Sequence, residues 1–145
     1  MTDADADADA DADAGVIDPA HWLHRLSAAD WLAAAETELG HCREALVRRA
    51  VRPGVTHARR AAGMALNALL RRRADPSYGR SYMEHVVALA GDAGAPAEAR
   101  AAAELLRAIA PVPPALVRIG KPDLAALEAA RAIVEYARAQ LSENG

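Results

Sequence analysis

The stretch that most limits what this chain can become is "SAADWLAAAETELGHCREALVRR", residues 27–49. Trp31, Ala35, Leu39, Cys42 and Leu46 recur in it at spacings of three and four, which lines them along one face of a long helix. Ser27 stands where an N-cap belongs, with Asp30 three residues on in the manner of a capping box. A stripe of this kind has to be buried against other helices. The composition agrees: 52% of residues are hydrophobic, much of that is alanine, and there is no phenylalanine. Chains rich in alanine and poor in aromatic and β-branched residues favour closely packed helices over strands.

The same reading extends along the chain. "VRPGV" supplies a proline and a glycine, so the first helix is expected to end near Arg49. Thr56 can cap a second, "HARRAAGMALNALLRRR", with Ala58, Ala61, Ala62, Ala65, Leu66 and Leu69 as its stripe and Leu70 beside it. A third is expected from about Tyr78 to Ala90 after the loop "ADPSYG". A fourth starts at Pro96, carries Leu105, Leu106 and Ile109, and stops at Pro111. After "PVPPALVRIGKP", a fifth runs from about Asp123 to Leu141. Its stripe is Leu124, Leu127, Val134 and Leu141, flanked by Ile133 and Ala137. The expected fold is all-α, an antiparallel bundle of about five helices.

Residues 1–15 are expected to be a disordered acidic Asp-Ala tail, and residues 16–145 a single helical domain. The tail alternates strictly, but its apolar partner is only alanine, and its six aspartates repel one another. It has neither the basic start nor the apolar run of a signal peptide. Without those six aspartates the formal net charge moves from -3 to about +3, too mild to announce nucleic-acid binding. No stretch is long and apolar enough to span a membrane, and a cytoplasmic location is the simplest expectation. A single cysteine, Cys42, excludes an internal disulfide and any multi-cysteine metal site. His21, His24, His41 and Cys42 suggest no metal: the first two precede the capped helix, and the other two are adjacent and face different ways. No cofactor is expected.

Two basic features invite a functional reading. Arg71, Arg72 and Arg73 could feed a groove that binds a nucleic-acid backbone, although arginines in a last helical turn are also what the helix dipole favours. Arg80 and His85, in "YGRSYMEHVVALA", lie five residues apart at the mouth of the third helix. With 17 basic side chains and five histidines in the chain, such spacings arise by chance. Arg52 and His57 form a second such pair across "RPGVTH", so spacing alone carries no weight.

The arrangement resembles the HEPN domain family. "RRAAGMALNALL" is similar to the family's "QAAEKALKALL" signature, and "LEAARAIVEYARAQL" to its final helix; the resemblance covers roughly residues 30–142. It implies a small helical bundle that pairs into a homodimer. It further implies a metal-independent endoribonuclease, often a toxin partnered by a nucleotidyltransferase-like antitoxin, with RNA or a nucleotide as ligand. The family's catalytic motif would fall on Arg80 and His85, with Ser81 in the polar position after the arginine. Histidine can take the 2′-hydroxyl proton, and the arginine fork can meet charge developing on the phosphate. Five residues along a helix separate two side chains by about 140° and roughly 7.5 Å, so the site would be composite, completed by a two-fold mate. The chain departs from the family at Arg60, Gly63, Met64 and Asn67. Those departures favour the alternative, a catalytically inert HEPN-like module for dimerisation, nucleotide binding or partner binding. Set against catalysis, Arg80 and His85 are expected to be a helix-terminal surface pair, or His85 a partly buried structural histidine.

Overall fold

In the computed structural model of the chain, Leu23 and residues 25–110 and 121–143 are described. The Asp-Ala tail, His21, His24 and most of the proline-rich stretch after Ala110 lie outside them. Among the described residues there are five α-helices and no strand: α1 (Ala28–Val47), α2 (Val51–Arg72), α3 (Tyr82–Ala90), α4 (Ala97–Ala108) and α5 (Ala125–Glu143). A single 3-10 turn, Pro76–Tyr78, precedes α3. No helix among the described residues is long and apolar enough to cross a membrane.

Three residues join α1 to α2, so the two run back along each other. The chain reverses through a Schellman motif. Arg49 takes the left-handed conformation at φ 63°, its N–H donates to the Leu46 carbonyl at 3.0 Å, and the Ala50 N–H donates to that of Ala45 at 2.8 Å. A side chain is strained there. Replacing Arg49 with glycine is expected to stabilise the fold by about 0.5–1 kcal/mol, the strain relief outweighing the entropy of a freer unfolded chain. Chemical denaturation would read this as a raised midpoint at unchanged slope.

The second helix starts earlier than its sequence suggests. Pro53 is the third residue of α2 rather than a break before it. The first four N–H groups of a helix have no internal partner, so a proline there sacrifices nothing. Thr56 is consequently inside the helix, not its cap. Ser27 does cap α1, its Oγ accepting from the Asp30 N–H at 3.0 Å. Trp31 donates its indole N–H to the Leu23 carbonyl at 3.1 Å, which ties the segment before α1 to the core.

α2 is the central helix. It packs against α1, α5 and α3, while α4 lies against α3 and α5. Every residue from Ala61 to Ala68 is buried. Alanine is what makes this possible: Ala35, Ala58, Ala61, Ala65 and Ala130 are fully buried, and such small side chains let helix axes approach towards the short end of the usual 8–10 Å, about 8 Å. Larger residues, among them Leu66, Leu89, Leu106, Leu127 and Ile133, fill the spaces between. At Gly63 α3 comes close, since a Cβ there would lie 2.3 Å from the Cβ of Tyr82.

Candidate functional site at the start of α3

The turn into α3 is built by its own polar residues. Asp75 caps the 3-10 turn, its carboxylate accepting from the Ser77 N–H at 3.0 Å. Gly79 then adopts φ 71°, a conformation glycine takes at little cost. Ser81 is the N-cap of α3. Its Oγ accepts from the Glu84 N–H at 3.0 Å, and the Glu84 carboxylate accepts from the N–H groups of Ser81 at 2.9 Å and Arg80 at 2.7 Å. This is a complete capping box. Bonds from the Arg80 and Ser81 backbones hold the Glu84 carboxyl below its ordinary range. Ser81, expected beside a catalytic arginine, therefore has a structural task that accounts for its hydroxyl.

Arg80 is exposed at this turn. His85, one turn into α3, faces the other way: it is 1% exposed, between α3 and α2. Its Nδ1 lies 2.6 Å from the Tyr78 carbonyl oxygen and its Nε2 lies 2.8 Å from Asn67 Oδ1. Asn67 is itself fully buried. The structure thus brings Arg80 and Ser81 together on the surface and places His85 in the core, on no surface that it shares with Arg80.

The two partners fix the state of the ring. Burial pushes the His85 pKa below the ordinary 6.5, against a smaller opposing effect of the Tyr78 carbonyl, so the imidazole is neutral and carries one N–H. The Tyr78 carbonyl can only accept, so Nδ1–H donates to it. Nε2 then offers a lone pair, and Asn67 has to turn its NH2 towards it. With Oδ1 towards the ring, Asn67 Nδ2 is the one buried side-chain polar atom left without a partner among the described residues; turning the amide over gives that NH2 the ring nitrogen as acceptor.

A pH dependence follows. The unfolded chain gains a proton on this histidine below about pH 6.5, and the folded chain resists it. Stability is therefore flat above that pH and falls as pH drops towards the depressed folded value, by at most about 1.4 kcal/mol per pH unit. The Glu84 and Asp92 carboxyls, both held low, lose their contribution only in more acid solution. Denaturation midpoints taken from neutral to mildly acid pH check this, with His85→Asn expected to flatten the decline.

The other expected residues divide. Arg71 is half-buried, and its Nε–H donates to the Leu26 carbonyl at 3.3 Å, which anchors the chain entering α1. Arg72 and Arg73 are exposed at the end of α2. Tyr78 donates its hydroxyl to Asp92 Oδ2 at 2.6 Å; burial and that bond raise the phenol pKa, and the bond holds Asp92 low. Cys42 is fully buried and its thiol is pushed up to about 11 by burial, so it is a poor nucleophile at neutral pH. Among the described residues no group of three or more His, Cys, Asp or Glu could hold a metal ion.

Sequence reasoning missed two groupings. Asn67 was legible only as a lone amide in an alanine–leucine helix. The second lies across α1 and α2, where Glu38 Oε1 is 2.7 Å from His57 Nδ1 and 3.3 Å from Arg60 Nε. No local spacing could join these residues, since 19 positions separate Glu38 from His57. Comparison with known proteins found no matching family model, no matching curated protein and no matching solved structure.

Proposed function

We propose that this chain is a HEPN-like helical module that acts by pairing with a second copy or a partner, and that Arg80 and His85 do not cleave RNA. The observation that carries this is the sealed imidazole of His85, at 1% exposure with both ring nitrogens engaged by Tyr78 and Asn67. A general base has to reach the proton it removes, and this one faces the core. The all-helical bundle and the capping role of Ser81 support the same reading. A shallow groove lined by residues including Met83, Val87 and Ala88 runs along the open side of α3. Val87 is 49% exposed there. A cytoplasmic setting belongs to the proposal.

The competing reading is a metal-independent endoribonuclease of toxin type, with a nucleotidyltransferase-like antitoxin and with Arg72 and Arg73 guiding RNA towards Arg80. It would need His85 to leave its pocket. The test is RNA cleavage by the purified chain in EDTA, beside Arg80→Ala and His85→Asn. The expected result is a folded protein that leaves the RNA intact. Cleavage to 2′,3′-cyclic phosphate ends, lost in both folded variants, would overturn the proposal.

A further inference from the structure

The turn between α1 and α2 forms a basic tip. Arg43, Arg48, Arg49 and Arg52 are all exposed there, and Glu44 is the one acidic residue among positions 43–52, which leaves a charge of +3. Arg43, Arg48 and Arg52 enter no ion pair among the described residues. Neighbouring charges cancel. Arg60, further along the seam, is matched by Glu38. On α5, Arg131 is close enough to act on the Cys42 thiol, and Glu128 lies one turn before it.

Helix energetics do not account for every one of these arginines. Arg43 and Arg48 are near the C-terminal end of α1, which favours cations. Arg52 is the second residue of α2, at the end that favours acids, and that first turn holds no acidic residue and no side-chain cap. Arg49 keeps a left-handed conformation that glycine would hold at less cost. The opposite end of the hairpin is less open. Arg71 spends its Nε–H on the Leu26 carbonyl, Arg73 shares its surroundings with Asp92, since both act on the Tyr136 phenol, and Asp75 follows two residues on.

The chain itself contains a segment of matching chemistry. Asp3, Asp5, Asp7, Asp9, Asp11 and Asp13 place six negative charges in alternation. The fold fixes where that segment joins it, because the Leu23 and Leu26 carbonyls are held by Trp31 and Arg71 at the start of α1. α1 has 20 residues, so the tip lies about 30 Å from that point. Asp13 precedes Leu23 by ten positions and Asp3 by twenty, which gives reaches of up to about 35 and about 70 Å. The segment is therefore long enough to lie on the tip of its own chain. Single exposed ion pairs are weak, but carboxylates tethered to the same chain act at high effective concentration. Other polyanionic surfaces fit less well. Residues 43–53 include no aromatic side chain on which a base could stack, and Val47 is the one large apolar side chain exposed there for a membrane to receive.

We propose that the arginine tip of the α1–α2 hairpin is the docking surface for the acidic segment of the same chain, residues 3–13, with Arg43, Arg48 and Arg52 meeting its carboxylates. Held there, the segment closes the tip to other anions. The inference does not depend on how the chain pairs, nor on Arg80 and His85.

The experiment is paramagnetic relaxation NMR on the full chain, with a nitroxide on Thr2→Cys, read at the arginine Nε–H signals in dilute buffer. Cys42 is fully buried with its thiol pushed up to about 11, so the new cysteine takes the label. The signals of Arg43, Arg48 and Arg52 are expected to broaden more than those of Arg72 and Arg73, although the segment joins the fold beside the latter. The difference should vanish in 1 M salt, where the screening length is about 3 Å, and when the six aspartates are replaced by asparagine. Mixing spin-labelled chain with isotope-labelled chain separates the sources. Broadening confined to the spin-labelled chain supports the proposal, whereas equal broadening in the mixture would assign the tip to a second copy and overturn it. Broadening strongest at Arg72 and Arg73, or tip signals that ignore the label and move instead with a single-stranded oligonucleotide, would overturn it as well.

Discussion

His85→Ala is expected to lower the stability of the fold by about 3–5 kcal/mol, a large share of the 5–15 kcal/mol typical of a domain. The loss has two sources. The Tyr78 carbonyl and the Asn67 amide each lose their partner inside the core, at about 1–3 kcal/mol per buried group. A cavity also opens between α2 and α3, which weakens the packing around it. Arg80→Ala, five residues earlier and exposed, is expected to change stability by less than about 0.5 kcal/mol. Urea denaturation of the two variants makes the comparison. Equal stabilities would mean that His85 does not hold α3 to α2.

The second large effect is at Gly63. Alanine is favoured over glycine within a helix by about 1 kcal/mol, so Gly63→Ala would stabilise α2 if nothing else changed. The new Cβ, however, would stand 2.3 Å from Tyr82 Cβ and 2.4 Å from its Cδ1. A Cβ is fixed to its backbone and cannot rotate away, so α3 itself has to shift. Overpacking of this kind costs about 1–3 kcal/mol, and displacing α3 also strains the bonds of His85, so the net effect is expected to be destabilising by about 1–2 kcal/mol. Gly40 supplies the contrast: it is in α1 with nothing within 4 Å of a built Cβ, and Gly40→Ala should stabilise by about 0.5–1 kcal/mol. Thermal or urea denaturation reads both, and the opposite signs are the point of the pair.

Much of the fold was legible because helix stripes are written locally. Trp31, Ala35, Leu39, Cys42 and Leu46 are all buried on α1, as their spacing requires, and Leu127, Ile133, Val134 and Ala137 on α5. Boundaries were harder. Pro53 looks like a break, yet a first-turn proline fits a helix that the α1–α2 turn has already set up. Residues 76–78 wind as a 3-10 turn, so α3 begins at Tyr82 rather than Tyr78. α2 was readable as amphipathic but not as central, because burial on every side depends on where three other helices come to lie.

The candidate site was harder still. The capping box was available in the sequence, since Ser81 and Glu84 stand three apart, and it would have given Ser81 its structural role. The direction of His85 also left a trace: it is one turn after Tyr82 and one turn before Leu89, along a buried edge of α3. Its partnership with Asn67 left none, because 18 positions separate them. The Glu38, His57 and Arg60 grouping is of the same kind. Contacts made between helices exist only once the bundle has formed.

The most direct test of the central claim, that His85 is a core residue and not a base, is long-range proton–nitrogen NMR of its imidazole. The account predicts a neutral ring protonated on Nδ1, with nitrogen shifts that stay constant as the solution is taken below the ordinary histidine value of 6.5. A ring that titrates at that ordinary value in the folded chain, or that carries its proton on Nε2, would contradict it.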